Sequence, residues 1–136
     1  MIEGVLRSGF LHVDDLGPGE DLVAAVRAFN DEALKVPCVW TVSAGPTDLL
    51  SAESVSLEVG VRGHLGALLW VSYDQRLVPK DGTNSDWQTY HLAGLHDMHL
   101  PPHAEVPIEV AYQALAEFLV TRARPTCVEW QEAEQD

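Results

Sequence analysis

The residues with the greatest capacity for chemistry in this chain are histidines gathered in one short segment. HLAGLHDMHLPPH, residues 91–103, holds four of the six histidines, namely His91, His96, His99 and His103. Neutral imidazole is a common zinc ligand. The spacing therefore raises the hypothesis of a small metal-dependent enzyme that uses the His91–His103 cluster.

The local geometry expected for this segment does not bring the imidazoles together. In an extended strand His96 and His99 point to opposite faces and do not ligate one ion. A helix would bring His96, His99 and His103 closer to one another, but the Pro101-Pro102 pair prevents a helix from continuing. We therefore predict no metal site and no cofactor, and keep the metal-dependent enzyme as an alternative.

Other catalytic motifs are incomplete or missing. HAE at 103–105 resembles the first half of the zinc-deaminase signature, but P-C-x-x-C does not follow it, because Cys127 comes after Thr126 and Trp130 stands three positions later. The sequence contains no G-x-S-x-G, GxxxxGK[ST] or H-E-x-x-H. We predict no catalytic residues and favour a protein that acts by binding.

Length and composition are typical of one globular domain that spans residues 1–136. Hydrophobic residues make up 46% of the chain and charged residues 21%, which is enough apolar surface for a core. The two cysteines, Cys38 and Cys127, have no spacing that indicates a disulfide framework or a thiolate zinc site. With neither a signal peptide nor an apolar run long enough to cross a bilayer, the expected location is cytoplasmic.

Charge is the strongest compositional feature. Twenty-one Asp and Glu stand against eight Lys and Arg, for a formal net charge of −13. Such a surface repels nucleic acid and anionic membranes and accelerates encounter with a basic protein. We therefore expect neither nucleic acid nor membrane as a partner.

Two segments have helical periodicity. DLVAAVRAFNDEALK, residues 21–35, is closed by Val36 before Pro37, and Arg27 and Asp31 are spaced to pair four apart. Its predicted apolar face consists of Leu22, Val26, Phe29 and Ala33. The second helix begins at Pro107 and ends before Pro125, with arginines near its negative end. Its predicted apolar face consists of Ile108, Ala111, Tyr112, Leu115, Phe118 and Leu119.

Between the helices the period falls to two. SVSLEVGV at 54–61 predicts a strand with one wet face, formed by Ser54, Ser56 and Glu58, whereas HLGALLWVSY at 64–73 predicts a central strand covered on both sides. Shorter strands are predicted at 38–43, 87–92 and 127–130, with turn chemistry at 79–86. The predicted fold class is α+β, a single mainly antiparallel β-sheet with two amphipathic helices packed against it.

The C-terminal third carries the most specific pattern. VPIEVAYQALAEFLVTRARPTCVEW, residues 106–130, resembles the final helix and strand of the first-numbered immunity-protein family of bacterial polymorphic toxin systems. The resemblance extends in layout over residues 35–131. The matching residues, expected mostly in the core, are Gly66, Trp70, Tyr90, Pro107, Phe118, Pro125 and Trp130.

This resemblance implies a noncatalytic, cytosolic antitoxin that neutralises a toxin encoded beside it. Toxins of these systems often carry a nucleic-acid deaminase domain, and a toxin that acts on nucleic acid needs a basic cleft. The net charge of −13 is consistent with such a partner. We expect the antitoxin to be a monomer or a weak homodimer.

Exposed acids beside aromatic residues in loops are the expected interface, because aromatics anchor interfaces and charge steers association. SYDQ and NSDWQ are the best two such stretches, and a neighbouring turn adds two further residues. The predicted partner-binding residues are Tyr73, Asp74, Asp86, Trp87, Asp97 and His99. The remaining alternative is a ligand-binding or scaffold domain, which predicts a large apolar pocket lined by Trp40 and Trp70.

Overall fold

A curled, mainly antiparallel sheet forms the centre of the structure. The computed structural model describes residues 6–32, 36–46 and 53–135. The strands in these ranges are β1 Phe10–His12, β2 Cys38–Ala44, β3 Val55–Arg62, β4 Leu65–Val71, β5 Arg76–Pro79, β6 Gln88–Leu92, β7 His96–Leu100, β8 Glu105–Pro107 and β9 Trp130–Glu132. Two helices lie wholly within these ranges, α1 Leu22–Glu32 and α2 Ile108–Thr121; residues 6–8 are also helical, and a 3-10 turn spans Val13–Asp15.

The strand order is β7-β6-β2-β3-β4-β5-β9, with β1 added to β2 and β8 added to β4. All pairs are antiparallel except β1 with β2 and β2 with β6. The predicted α+β class and the mainly antiparallel sheet are therefore confirmed. The apolar stretch at 64–73 does contain a central strand, because β4 pairs with β3, β5 and β8.

Both helices contribute to the core on one face of the sheet. Helix α2 buries four residues of its predicted face and also Ala114, whereas Ile108 and Leu119 are half-buried. The four are Ala111, Tyr112, Leu115 and Phe118. The core aromatics meet edge to face, with ring centroids 5.8 Å apart for Trp70 and Phe118 and 5.1 Å apart for Phe29 and Trp40. Trp40 and Trp70 are 3% and 5% exposed within this filled core, and are not the lining of the apolar pocket that the ligand-binding or scaffold alternative predicts.

Helix α1 begins one residue later than predicted. The carboxylate of Asp21 caps it by accepting a hydrogen bond from the Ala24 amide at 3.0 Å. The predicted pairing of Arg27 with Asp31 is wrong: the guanidinium donates to both carboxylate oxygens of Glu109 on α2, at 2.9 and 3.2 Å. The two parallel hydrogen bonds to Glu109 hold the guanidinium of Arg27 more strongly than one contact with Asp31 on its own helix would. The predicted face residue Ala33 lies outside the described residues.

The opposite face of β3 is not the wet face that its alternation predicts. Glu58 is only 8% exposed, and Gly60 lies against the ring of Tyr90 on β6. The chain folds the β6–β7 hairpin over this face, and Tyr90 and Leu100 become fully buried there. A second apolar cluster therefore covers half of a surface that the sequence pattern assigned to solvent.

The last strand also differs from the prediction. It begins at Trp130 rather than Cys127, because residues 126–128 form a bend that leads into β9. Trp130 is half-buried rather than buried, and its indole nitrogen donates to the Pro125 carbonyl at 2.8 Å. Within the described residues, neither helix has the length and hydropathy of a membrane span.

Candidate functional site

The four clustered histidines are spread along the β6–β7 hairpin and the turn that follows it. Three of them have partners other than one another. These contacts are His91 Nδ1 with Asp97 at 3.1 Å, His99 Nδ1 with the Thr89 hydroxyl at 2.9 Å, and His103 Nδ1 with the Gly82 carbonyl at 3.0 Å. Over the described part of the chain, no three His, Cys, Asp or Glu side chains are arranged to hold a metal ion.

Two of the predicted partner-binding residues lie in the turn after β4. Tyr73 is 67% exposed, which is unusual for a large aromatic side chain. Asp74 is exposed, and one of its carboxylate oxygens accepts from the Ser72 hydroxyl at 3.5 Å. This turn therefore presents an aromatic ring and a carboxylate to solvent, as predicted.

The other four predicted residues lie around the β6–β7 hairpin. Asp86 is exposed just before β6, and its carboxylate accepts from the Trp87 amide at 2.8 Å. Trp87 is half-buried. Asp97 and His99 are exposed in strand β7 and not in a turn, and their alternation places them on the same face of the hairpin.

The structure does not bring the two groups together. In the β4 register, Val71 is level with Ser43 near the C-terminal end of β2, so Tyr73 lies beyond that end. Strand β6 runs parallel to β2 with His91 level with Cys38, so Trp87 lies beyond the N-terminal end of β2. The predicted residues therefore describe two alternative surfaces at opposite ends of the sheet.

A pocket of about 690 Å³ lies beside Tyr73, on the sheet face opposite α2. Its floor consists of side chains from β2, β3 and β4, and strand β1 forms one wall. The residues that line the floor are Thr41, Ser43, Ser56 and Val71. Phe10 is 62% exposed at the wall, so the pocket has an exposed aromatic ring on each side.

Glu58 does not line this pocket itself but lies next to its inner end, in the same cross-strand row as Phe10 and Thr41, which do line it. It is directly opposite Thr41 across the β2–β3 ladder and two residues from Ser56 on the same face. Burial raises the pKa of the Glu58 carboxyl to about 6, although Arg76 and the Thr41 hydroxyl act to lower it. Across residues 6–32, 36–46 and 53–135, no cationic nitrogen lies within salt-bridge distance of this carboxylate.

The other buried glutamate on this face has a complete set of partners. Glu105 is 2% exposed, and its two carboxylate oxygens accept hydrogen bonds from the guanidinium of Arg62, each at 3.0 Å. The hydroxyl of Tyr90 donates to it at 2.6 Å, and the Glu105 amide donates to Asn84 at 2.8 Å. This network joins β3, β6 and β8. Because the buried carboxylate has hydrogen-bond partners at both oxygens, the network fits a structural role.

Comparison with known families decides the class of the protein. The family model for immunity protein Imm1 matches residues 17–132, most of the chain. The chain belongs to the Imm1 immunity protein family. A comparison with curated proteins finds no match.

Two residues of this Imm1 chain were missed as site candidates from sequence alone. Phe10 falls in a three-residue strand too short to be recognised from its pattern, and Glu58 was assigned to a solvent-exposed face. The available signal for Glu58 was its position in a strand next to the strongly apolar β4, where both faces are covered. The Imm1 residues expected in the core behave mostly as expected, with Trp70, Tyr90 and Phe118 buried.

Proposed function

We propose that this Imm1 protein is a noncatalytic antitoxin that binds a cognate secreted toxin and blocks its active site. The observation that carries the proposal is the family match over residues 17–132. The missing catalytic motifs and the dispersed histidines support a role in binding. No cofactor or metal is needed for this function.

We further propose that the toxin acts on nucleic acid, for example as a deaminase, through a basic cleft. The formal net charge of −13 supports this partner, because a strongly acidic surface complements a cleft that holds phosphates. The same charge disfavours nucleic acid and anionic membranes as direct partners. The antitoxin would act in the cytoplasm as a monomer or a weak homodimer.

Neutralisation in cells tests this function directly. The toxin domain encoded by the neighbouring gene is expressed with and without this protein, and cell survival is measured. We expect survival only with the antitoxin, and we expect purified antitoxin dialysed against a zinc chelator to inhibit the purified toxin domain as well as untreated antitoxin does. Inhibition that is lost on chelation and restored by zinc would favour the metal-dependent alternative, and no protection at all would contradict the proposal.

Charge-reversal and truncation variants at each end of the sheet show which of the two predicted surfaces binds the toxin. Asp74→Lys changes the Tyr73 end, whereas Asp86→Lys and Trp87→Ala change the hairpin end. If the toxin binds the Tyr73 end, Asp74→Lys raises the dissociation constant and the other two variants do not. Unchanged affinity in all three folded variants would place the interface elsewhere.

A further inference from the structure

Among the described residues, the pocket beside Tyr73 lies over a part of the sheet face that no second layer of side chains covers, whereas the part toward β6 and β7 is filled. Tyr90 and Leu100 cover the face toward β6 and β7, where they are fully buried. Toward β1 the same face presents Thr41, Ser43 and Val71 around the pocket instead of a further layer of side chains. The floor of the pocket is therefore the sheet itself, while residues outside the strands, such as Pro46 and Tyr73, also line it.

Thr41, which lines the inner end of this pocket, and Glu58, which lies directly opposite Thr41 and next to the pocket, carry buried polar groups whose partners are incomplete among the described residues. The Thr41 Oγ1 atom is buried beside the Glu58 carboxyl but completes no hydrogen bond of normal geometry, and in the described part of the chain Glu58 lacks the paired cation that Glu105 has in Arg62. Buried groups of this kind are rare in native structures, because they lose hydration without a replacement. A cationic side chain that entered the pocket would supply the missing charge and a donor for the hydroxyl.

The rim of the pocket has the composition of an interface. Phe10 and Tyr73 are 62% and 67% exposed on either side of it, and exposed aromatic rings beside a concave surface are typical anchors for a partner protein. Asp15 also lines the pocket and adds negative charge to it. A second copy of this chain would bring the same charge of −13 to the contact, so a basic partner fits the pocket better.

We propose that this pocket receives a loop of the cognate toxin, and that a lysine or arginine side chain of that loop pairs with Glu58 between Phe10 and Tyr73. This inference rests on the proposed antitoxin function and specifies the surface that performs it. It selects the Tyr73 end of the sheet over the hairpin end. The rings of Phe10 and Tyr73 pack on the apolar part of the inserted loop and exclude water from the ion pair.

The test measures binding of the toxin domain encoded by the neighbouring gene, made with an inactivating substitution in its active site. The three antitoxin variants are Glu58→Gln, Phe10→Ala and Tyr73→Ala, and titration calorimetry gives their dissociation constants. Two controls are matched to them: Glu32→Gln removes one exposed carboxylate at the end of α1, and Val120→Ala truncates a side chain that is 84% exposed on α2.

We expect Glu58→Gln to raise the dissociation constant by about thirtyfold and each aromatic truncation by about tenfold or more, with both controls within about threefold of the unmodified protein. Circular dichroism checks the fold of every variant, and the exposed positions of Phe10 and Tyr73 make their variants informative even if Glu58→Gln alters stability.

Several results would overturn the inference. Unchanged affinity in all three variants, with the unmodified protein binding normally, would place the interface elsewhere while the antitoxin function stands. An effect of the two aromatics without an effect of Glu58→Gln would exclude the ion pair. A dimer of the unmodified protein that Phe10→Ala dissociates would make a second copy the occupant. Failure of the unmodified protein to bind the toxin domain would remove the proposed function and this inference with it.

Discussion

Single residues on one sheet face show two ways to bury a carboxylate. Glu105 receives hydrogen bonds from Arg62 and Tyr90, so burial of its charge is compensated. Glu58 has no such ion pair with any described residue, and burial raises its pKa to about 6, so its charged form is destabilised in the free protein. Binding sites often contain residues that lower the stability of the free protein and make no compensating contact within it.

The first prediction concerns the stability of Glu58→Gln as a function of pH. The pKa of Glu58 rises from an ordinary 4.5 to about 6 on folding, so folding favours the neutral form. The penalty is absent below pH 4.5, where the carboxyl is neutral in both states, and it develops as pH rises through about 6. At about 1.4 kcal/mol per pKa unit, Glu58→Gln should be more stable than the unmodified protein by about 2 kcal/mol at pH 8.

Urea unfolding of both proteins at pH 4 and pH 8 measures this difference. Because only one group differs, the comparison cancels the titration of the other acids to first order. Arg76, which acts to lower the pKa of Glu58, is retained in both. Equal stability of the two proteins at pH 8 would show that the carboxylate is well solvated or paired in solution.

The second prediction concerns the core under α2. Phe118 is fully buried against Trp70, so Phe118→Ala should lower the free energy of unfolding by about 3–5 kcal/mol. Val120, two residues later, is 84% exposed, so Val120→Ala should change the free energy of unfolding by less than about 0.5 kcal/mol. Trp130 is half-buried, so its truncation should have a smaller effect than that of Phe118. Denaturant unfolding of the three variants would contradict this ranking if Trp130→Ala were the most damaging.

At the scale of elements, the approach of α2 to β4 depends on a missing side chain. A Cβ atom added at Gly66 would collide with the Cβ of Ala111, and the side chain of Ile108 lies 3.3 Å from that position. Only glycine therefore lets this helix pack so closely on the central strand. The same strand hydrogen-bonds β8 immediately before the helix begins, so helix and strand are held at one point.

The third prediction is that Gly66→Ala lowers the free energy of unfolding by about 1–3 kcal/mol, because overpacking pushes α2 off the sheet. Ala111→Gly removes the colliding methyl group but weakens the helix by about 1 kcal/mol. The double variant should therefore be more stable than the sum of the single effects, by about 1 kcal/mol or more. A strictly additive double-mutant cycle in thermal or denaturant unfolding would argue against the close contact.

At the scale of the whole molecule, the proposed complex separates two roles: we expect charge to govern encounter with the toxin and the pocket to govern its release. The net charge of −13 acts over the distance at which salt has not yet screened it, about 8 Å at physiological ionic strength. Contacts within the pocket act only after the complex has formed. Experiments can separate the two contributions, because salt weakens long-range attraction between charges much more than it weakens contacts within the pocket.

The fourth prediction is that the association rate with the toxin domain falls by about tenfold or more between 50 and 500 mM salt, while the dissociation rate changes far less. Surface plasmon resonance across a salt series measures both rates. Tyr73→Ala should do the reverse, with a faster dissociation rate and a nearly unchanged association rate. An association rate independent of salt would remove the argument that the acidity of this chain serves toxin capture.

Much of the architecture follows from the sequence because it depends on local spacing. The 3.6-residue period predicts helices at 21–35 and after Pro107, and the unbroken apolar run at 64–73 predicts a central strand; the structure confirms these elements with shifted ends. Acidity and the C-terminal pattern also pointed to the immunity family without any structure. The exposure of Tyr73 and Asp74 followed from turn composition in the same way.

Tertiary structure alone decided which surfaces are covered and which distant residues meet. A period of two establishes that Ser56 and Glu58 share a face, but not that the β6–β7 hairpin folds over part of it and leaves a pocket beside it. Phe10, Thr41 and Tyr73 line one pocket only because β1 adds to β2 while β4 returns beside β3. The reason is physical: side-chain spacing along one strand is local, whereas burial is the result of contacts between strands far apart in the chain.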